Sequence, residues 1–258
     1  MIVQDNDKLI LITNDDGLYA AGLKTLTGVM KEFGKVVVIS ATESRSAMSQ
    51  ALTVKQPLRV KLLEETDDLR IYACSGTPTD GVKLAVNQLL ERKPDLLVSG
   101  INHGSNASAS VLYSGTMAAA LEGCLYGITS VGFSLNSYSP TADFTVCEKY
   151  IRIICKTVLG EPLPEGVCLN VNMPAITASE IKGIRVARQA RGCWQEEFEK
   201  RKDPMGKTYY WLTGKFINHE PESTDTDEWG MKNGFVSVVP VSTDMTAYGF
   251  LSELKTKF

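Results

Sequence analysis

Apolar residues fall in short runs along this chain, and polar or helical stretches separate them at a fairly even spacing. The runs at residues 9–13, 36–40, 70–74, 96–99 and 131–135 are too short for helices, and they predict buried strands. Helical periodicity fills several of the gaps. It covers 22–33 and closes at Gly34, covers 79–90 and stops before Pro94, covers 116–126 and ends at Gly127, and covers 144–159 and ends at Gly160. Strands that alternate with helices in this way predict parallel strands joined by crossovers. The fold class expected is therefore α/β: a Rossmann-like three-layer αβα sandwich with a mostly parallel sheet. A further strand is expected at 167–172, halted by Pro174, with no crossover helix after it.

Beyond about residue 181 the pattern changes. The runs at 184–188, 209–212 and 234–241 are alternating or β-branched and are separated by turn residues, which predicts hairpins outside the main sheet. The organisation expected is one domain over 1–258, with a core over about 1–180 and a C-terminal β-hairpin extension over about 181–258 that packs on another subunit. The charged piece 195–202 reads as a solvated loop. Tyr209, Tyr210 and Trp211 read as edge-strand packing or a subunit contact in preference to a base-stacking platform.

The chain has 258 residues and 43% hydrophobic content, enough for one large core. Its net charge of −3 argues against a nucleic-acid polymer or an anionic membrane as partner and leaves a small molecule. No basic segment followed by an apolar one opens the chain, and no apolar run is long enough to span a bilayer, so a cytoplasmic location is expected. The cysteines Cys74, Cys124, Cys147, Cys155, Cys168 and Cys193 form no Cys-x-x-Cys pair and read as reduced core residues.

The candidate chemistry sits at predicted strand ends. Asn14-Asp15-Asp16-Gly17 follows the first strand and sets two carboxylates at the carboxyl edge of the sheet, where α/β proteins collect ligands. Carboxylates this close raise one another's pKa unless a cation neutralises them, and hard oxygen donors suit a divalent ion. An Asx turn or helix cap explains the same four residues equally well. The loop after 96–99 offers Asn102 as a carbonyl ligand and Asn106 as an amide. Tyr113-Ser114-Gly115-Thr116 then opens an Ala-rich helix, whose N–H groups, hydroxyls and dipole would favour phosphate. Taken alone, that segment is first an ordinary N-cap, and no Walker lysine follows it. The loop 41–49 adds the hydroxyl of Ser46 and the cation of Arg45, and 75–81 reads as structural capping by Pro78 and Asp80. Four such loops converging on one sheet edge favour a ligand site over turn chemistry.

These residues in this order resemble the SurE family, the survival-protein nucleotidases. The resemblance runs from Ile10-Leu11-Ile12-Thr13-Asn14-Asp15-Asp16-Gly17 through Gly76-Thr77-Pro78-Thr79-Asp80, Val98-Ser99-Gly100-Ile101-Asn102 and Tyr113-Ser114-Gly115-Thr116. It continues in Leu169-Asn170-Val171-Asn172-Met173-Pro174, Asp203-Pro204-Met205-Gly206 and Ser237-Val238-Val239-Pro240, so it covers nearly the whole chain. It implies a phosphomonoesterase that hydrolyses nucleoside 5′- and 3′-monophosphates, with short polyphosphate as a further substrate. It also implies one divalent ion per subunit, Mg2+ or Mn2+, held by Asp15, Asp16, Ser46 and Asn102, and a homodimer or homotetramer built through the C-terminal arm. On this reading Asp15, Asp16 and Asn106 are catalytic, and Asn106, Ser114, Gly115 and Thr116 hold the phosphate while water attacks in line.

The chain departs from the family pattern at Ala107-Ser108-Ala109-Ser110, where two carboxylates are usual, at Ser46-Ala47, where Ser-Gly is usual, and at Tyr248, where a histidine is frequent. His103, beside Asn102, reads equally as a group near the leaving oxygen or as a solvent-facing histidine. The alternative in another class is a non-hydrolytic nucleotide sensor on the same fold, which the paired aspartates disfavour because they would repel a phosphate without a cation. A dinucleotide oxidoreductase is weakly supported, since the first turn lacks Gly-x-Gly-x-x-Gly.

Overall fold

The computed structural model describes residues 8–195 and 197–258. Residues 1–7, on which the expectation of a leader-free start rests, and Glu196, in the charged piece, lie outside the described residues. The central strands are β1 (Leu9–Thr13), β2 (Lys35–Ala41), β4 (Leu69–Cys74), β5 (Leu96–His103), β6 (Ser130–Asn136) and β7 (Val167–Pro174), all mutually parallel. The edge strand β3 (Val60–Glu65), which was not anticipated, runs antiparallel to β4 with every residue exposed. With β8 (Gly183–Val186) and β13 (Phe235–Ser242) the sheet has nine strands in the order β3-β4-β2-β1-β5-β6-β7-β13-β8.

Strand β1 lies in the middle, and the chain builds outward from it to one side before crossing to β5 on the other. The crevice between β1 and β5 is therefore the topological switch point, where the following loops diverge and leave room for a ligand. Ile10 and Ile12 face one layer, where Leu23, Leu26 and Met30 of α1 (Ala21–Met30) pack with Tyr150, Ile151 and Ile154 of α4 (Glu148–Gly160). Leu11, between them, faces the other layer with Val82 of α2 (Pro78–Leu84) and Ala119 of α3 (Gly115–Leu125). The period-two alternation of a strand thus puts apolar side chains on both faces, which is why the runs read as continuous.

Helix α2 opens with the capping expected at 75–81: Thr77 Oγ1 accepts from the Asp80 N–H at 3.1 Å, Asp80 Oδ2 accepts from the Thr77 N–H at 2.9 Å, and Pro78 occupies the first turn. The helical pattern expected to 90 continues as a π-helical turn over Ala85–Leu89, and that at 144–159 starts as a 3-10 turn over Phe144–Cys147.

The C-terminal expectation holds in part. Two antiparallel pairs lie outside the main sheet: β9 (Gly192–Gln195) with β12 (Lys215–Asn218), and β10 (Phe198–Lys202) with β11 (Thr208–Leu212). The runs at 184–188 and 234–241 do not form external hairpins. Strand β13 pairs antiparallel with β7, Val238 opposite Val171, and β8 pairs parallel with β13. The burial of β13 against α5 (Asp227–Lys232) and β7 explains its β-branched composition, while Ile184 and Val186 of β8, at the sheet edge, stay exposed. The charged piece is also corrected, because 198–202 is a strand. Its backbone pairs with β11 while its side chains stay in solvent, so the polar pattern resembled a loop. The chain closes with α6 (Tyr248–Lys255), an exposed helix with no buried residue. No helix among the described residues is long and apolar enough to cross a membrane.

Asp227 braces three segments from a fully buried position. Its carboxylate accepts from the N–H groups of Ser108 (2.8 Å), Ala190 (2.9 Å) and Glu228 (2.8 Å). Asp227→Ala leaves the buried N–H groups of Ser108 and Ala190 without an acceptor, so the expected loss is about 3 kcal/mol. Urea unfolding checks it: the midpoint falls, and an unchanged midpoint shows that the carboxylate is no brace.

Candidate functional site

Strand β1 ends beneath the loop that carries the two aspartates. Asn14 is entirely buried and structural: its amide donates to Gly17 O at 2.9 Å, and its carbonyl accepts from Ser40 Oγ at 2.5 Å on the neighbouring strand. Asn14 thus closes the loop as an amide donor to Gly17 O, not as the acceptor of the expected Asx turn, and pins it to β2. That loop carries Asp15 and Asp16 over the switch point. The Asp15 backbone carbonyl accepts from Arg45 N at 2.7 Å, which ties the loop after β2 to the same place.

The Asp15 carboxylate is 3% exposed, and its main anchor is the start of α3. Thr116 Oγ1 donates to Asp15 Oδ1 at 2.6 Å. Gly115 lies so close that a β-carbon there would sit 2.9 Å from both Asp15 Cβ and Oδ2, so only glycine lets the helix end approach the carboxylate. Burial pushes the Asp15 pKa up to about 6, the Thr116 hydrogen bond opposes that rise, and the charge of Asp16 adds to it. Asp16 is also raised by burial, against the pull of the His103 N–H, which donates to its Oδ2 at 2.8 Å.

Strand β5 runs on to His103, so Asn102 belongs to the strand and not to a loop; Asn102 and His103 pair with Ser134 and Leu135 of β6 after a local shift in register. Asn102 donates to Gly104 O at 2.8 Å, and its Oδ1 lies 3.4 Å from Thr116 Oγ1, the hydroxyl that also reaches Asp15. Asp15, Ser46, Asn102, Asn106 and Ser114 line one cavity of about 460 Å3. Ser46 is exposed on its rim, with its Oγ 2.8 Å from Ser44 Oγ. Asp16 is not among the lining residues, its Oδ2 being held by the His103 N–H beside them; with Asp15, Asn102 and Ser46 it offers hard oxygen donors, and the raised aspartate pKa values are what a cation would reverse. The residues fit a Mg2+- or Mn2+-type ion.

On the phosphate side, Ser114 Oγ accepts from Met117 N at 3.0 Å as the helix N-cap, so its own hydrogen can still be donated into the cavity. The Thr116 hydroxyl is fully buried and already donates to Asp15, so the anion held by this helix start is the protein's own carboxylate. Arg45 does not reach the cavity; its guanidinium lies 3.5 Å from Ser75 O. The imidazole of His103 meets Ser139 O at 2.6 Å and stacks edge-on against Phe144, and Tyr248 bonds Asp244 away from the cavity.

Asn106 is positioned by residues whose role the sequence reading missed. Asn172 Oδ1 accepts from Asn106 N at 2.8 Å, Asn170 Nδ2 donates to Asn106 O at 2.8 Å, and Asn106 Nδ2 donates to Ser134 Oγ at 2.8 Å. Asn170 and Asn172, two apart on β7, point the same way and are buried, a spacing that could have signalled a polar face inside the sheet. Tyr138, Trp194, Leu212 and Thr213 complete the cavity wall and lie far from the motif loops in sequence.

Fold and site together define an α/β protein with an acidic cavity at the carboxyl edge of a parallel sheet. The chain belongs to the SurE family: the model described as "Survival protein SurE" matches residues 10–196. The chain is 51% identical over 247 residues to the "5'-nucleotidase SurE" of Flavobacterium psychrophilum, covering 95% of this chain and 96% of that one. It is 52% identical over 250 residues to that of Christiangramia forsetii, covering 96% of each. Among solved structures, the SurE protein from Aquifex aeolicus superposes with a TM-score of 0.83 at 36% identity, covering 96% of this chain and 99% of that one.

The Thr116 hydrogen bond lowers the Asp15 pKa, so Thr116→Val is expected to move it upward from about 6 in metal-free buffer. Because the folded value exceeds the reference of 3.8, Asp15 contributes stability below 3.8 that is lost as pH rises through about 6, and the variant carries that loss to higher pH. Carboxyl-carbon NMR titration of Asp15 reads the shift, and a midpoint at or below the parent's contradicts the assignment.

Proposed function

We propose that this chain is a metal-dependent 5′-nucleotidase that releases phosphate from nucleoside monophosphates. The observation that carries the reading is the buried Asp15 carboxylate, set with Asp16 and the Asn102 carbonyl oxygen at the switch point. Such a desolvated acidic group has little use in binding a phosphate unless a cation accompanies it. Relatives at 47–52% identity over nearly the full chain carry the name 5'-nucleotidase SurE, which leaves the sensor alternative without support.

In finer detail, Asp15, Asp16, Asn102 and Ser46 hold one Mg2+ or Mn2+ ion. When bound, the ion supplies charge neutralisation at a phosphoryl oxygen and an acidified water. The protein's own contribution is orientation. Asp16 keeps its Oδ2 on the His103 N–H, while Thr116 and Gly115 hold Asp15 against the helix. Ser114 Oγ and the second N–H of the Asn106 amide donate to the remaining phosphate oxygens. Their positions are set before substrate arrives by the Met117 N–H and by Asn170, Asn172 and Ser134.

The same cavity accommodates 5′- and 3′-monophosphates and the end of a short polyphosphate, and the enzyme works in the cytoplasm. It assembles as a homodimer or homotetramer through the C-terminal arm. Tyr210, Trp211 and Leu212 on β11 and Phe250, Leu251 and Leu254 on α6 are all more than a third exposed, a density of apolar surface that association would cover.

Phosphate release from a panel of nucleoside monophosphates, with and without chelator, tests the activity. Release is expected to vanish with chelator and return with Mg2+ or Mn2+. Asp15→Asn and Asp16→Asn are each expected to bring turnover near background, and full activity in either variant removes that residue from the site. Light scattering is expected to give a mass of two or four chains, and a monomer at micromolar concentration would refute the assembly.

A further inference from the structure

The cavity has a second, aromatic end that the phosphate chemistry does not use. Tyr138 follows β6 and is 73% exposed, yet its ring is not loose. It packs on Gly104, where a β-carbon would come within 2.8 Å of Cζ and 3.1 Å of the phenol oxygen. Gly104 has φ +104°, a conformation that disfavours any side chain, so the backbone stays bare where the ring meets it. The same residue lines the cavity. Trp194, from β9 of the arm, lines the same cavity and is braced edge-on by Phe216, with ring centroids 6.1 Å apart. Asn106 and Ser110 line the wall as well, and Asp15, Asn102 and Ser114 mark the acidic end.

We propose that Tyr138 and Trp194 form a nucleobase subsite, in which a purine stacks on Tyr138 with the indole of Trp194 as its second wall. The proposal rests on the nucleotidase reading and adds which part of the substrate the aromatic end takes. The dimensions suit it: a cavity of about 460 Å3 lies in the range of sites for ligands of this size. The chemistry suits it too, because two rings already held by packing give up little conformational freedom on binding and stack on any base, with purines gaining most from area. Trp194 comes from the arm and Tyr138 from the sheet edge, so the arm completes the substrate site as well as offering apolar surface.

The test separates base from phosphate. Calorimetry with adenosine, which carries the base and no phosphate, is expected to show binding weakened about tenfold by Tyr138→Ala and by Trp194→Ala, and largely restored by Tyr138→Phe and Trp194→Phe. In steady-state kinetics the Ala variants are expected to raise KM for adenosine 5′-monophosphate about tenfold with a smaller effect on kcat, and to lower its kcat/KM relative to that for ribose 5-phosphate. No adenosine binding to the parent, equal binding by the parent and both Ala variants, or equal loss on adenosine 5′-monophosphate and ribose 5-phosphate overturns the subsite. Adenosine binding that depends on both rings, with no phosphate released by the parent, keeps the subsite and removes the hydrolase reading instead.

Discussion

The site is organised around one contact, the buried Asp15 carboxylate lodged against the N-terminal turn of α3. A carboxylate at 3% exposure is costly, and a hydroxyl and the positive end of a helix dipole offset that cost only in part, so its pKa stays near 6. Several features of the chain follow from accommodating it. Gly115 is bare so that the helix can approach, Thr116 spends its hydroxyl on Asp15, and Ser114 caps the helix that does the holding. What remains unbalanced is the negative charge of Asp15 in the cavity wall, and that imbalance is the strongest physical argument for a cation there.

Around this contact, the surrounding polar residues keep the loops rigid. Asn170 and Asn172 present their amides to the Ser105 hydroxyl and the backbone of Asn106 from inside the sheet, and Asp227 takes the N–H groups of Ser108 and Ala190 from inside the core. Ser108 lies in the stretch where relatives usually carry two carboxylates. In this chain a carboxylate reaches that stretch from α5, about a hundred residues later, and it holds backbone without facing the cavity. The stretch presents Ser110 to the cavity while Asp227 braces the backbone at Ser108.

The arm lines the cavity at one end and exposes apolar side chains at the other for one physical reason. Strands β9 to β12 fold back beside the sheet edge, so residues at their base, Trp194, Leu212 and Thr213, meet the cavity while those further out stay exposed. Mixed composition results, with apolar side chains on a strand whose neighbours are charged. Such a segment reads poorly by periodicity, because its backbone is paired but its faces are not buried within this chain.

The sequence by itself determined the parallel core, since strands buried on both faces need unbroken apolar runs and crossover helices leave a clear period. It also pointed to Asp15, Asp16, Asn102 and Ser46 as candidate donors, because they stand at or near predicted strand ends in an order that resembles one family. It did not determine that Asn102 lies within a strand, that β8 and β13 extend the main sheet, or that 198–202 is paired. Strand pairing is a long-range property that local pattern does not carry. Nor did it reveal the employment of Thr116, Asn172, Asp227 and Tyr138. A hydroxyl, an amide, a carboxylate and a ring look alike in a sequence whether they face ligand, backbone or solvent, and only the tertiary structure, by bringing residues a hundred positions apart into contact, decided which each would meet.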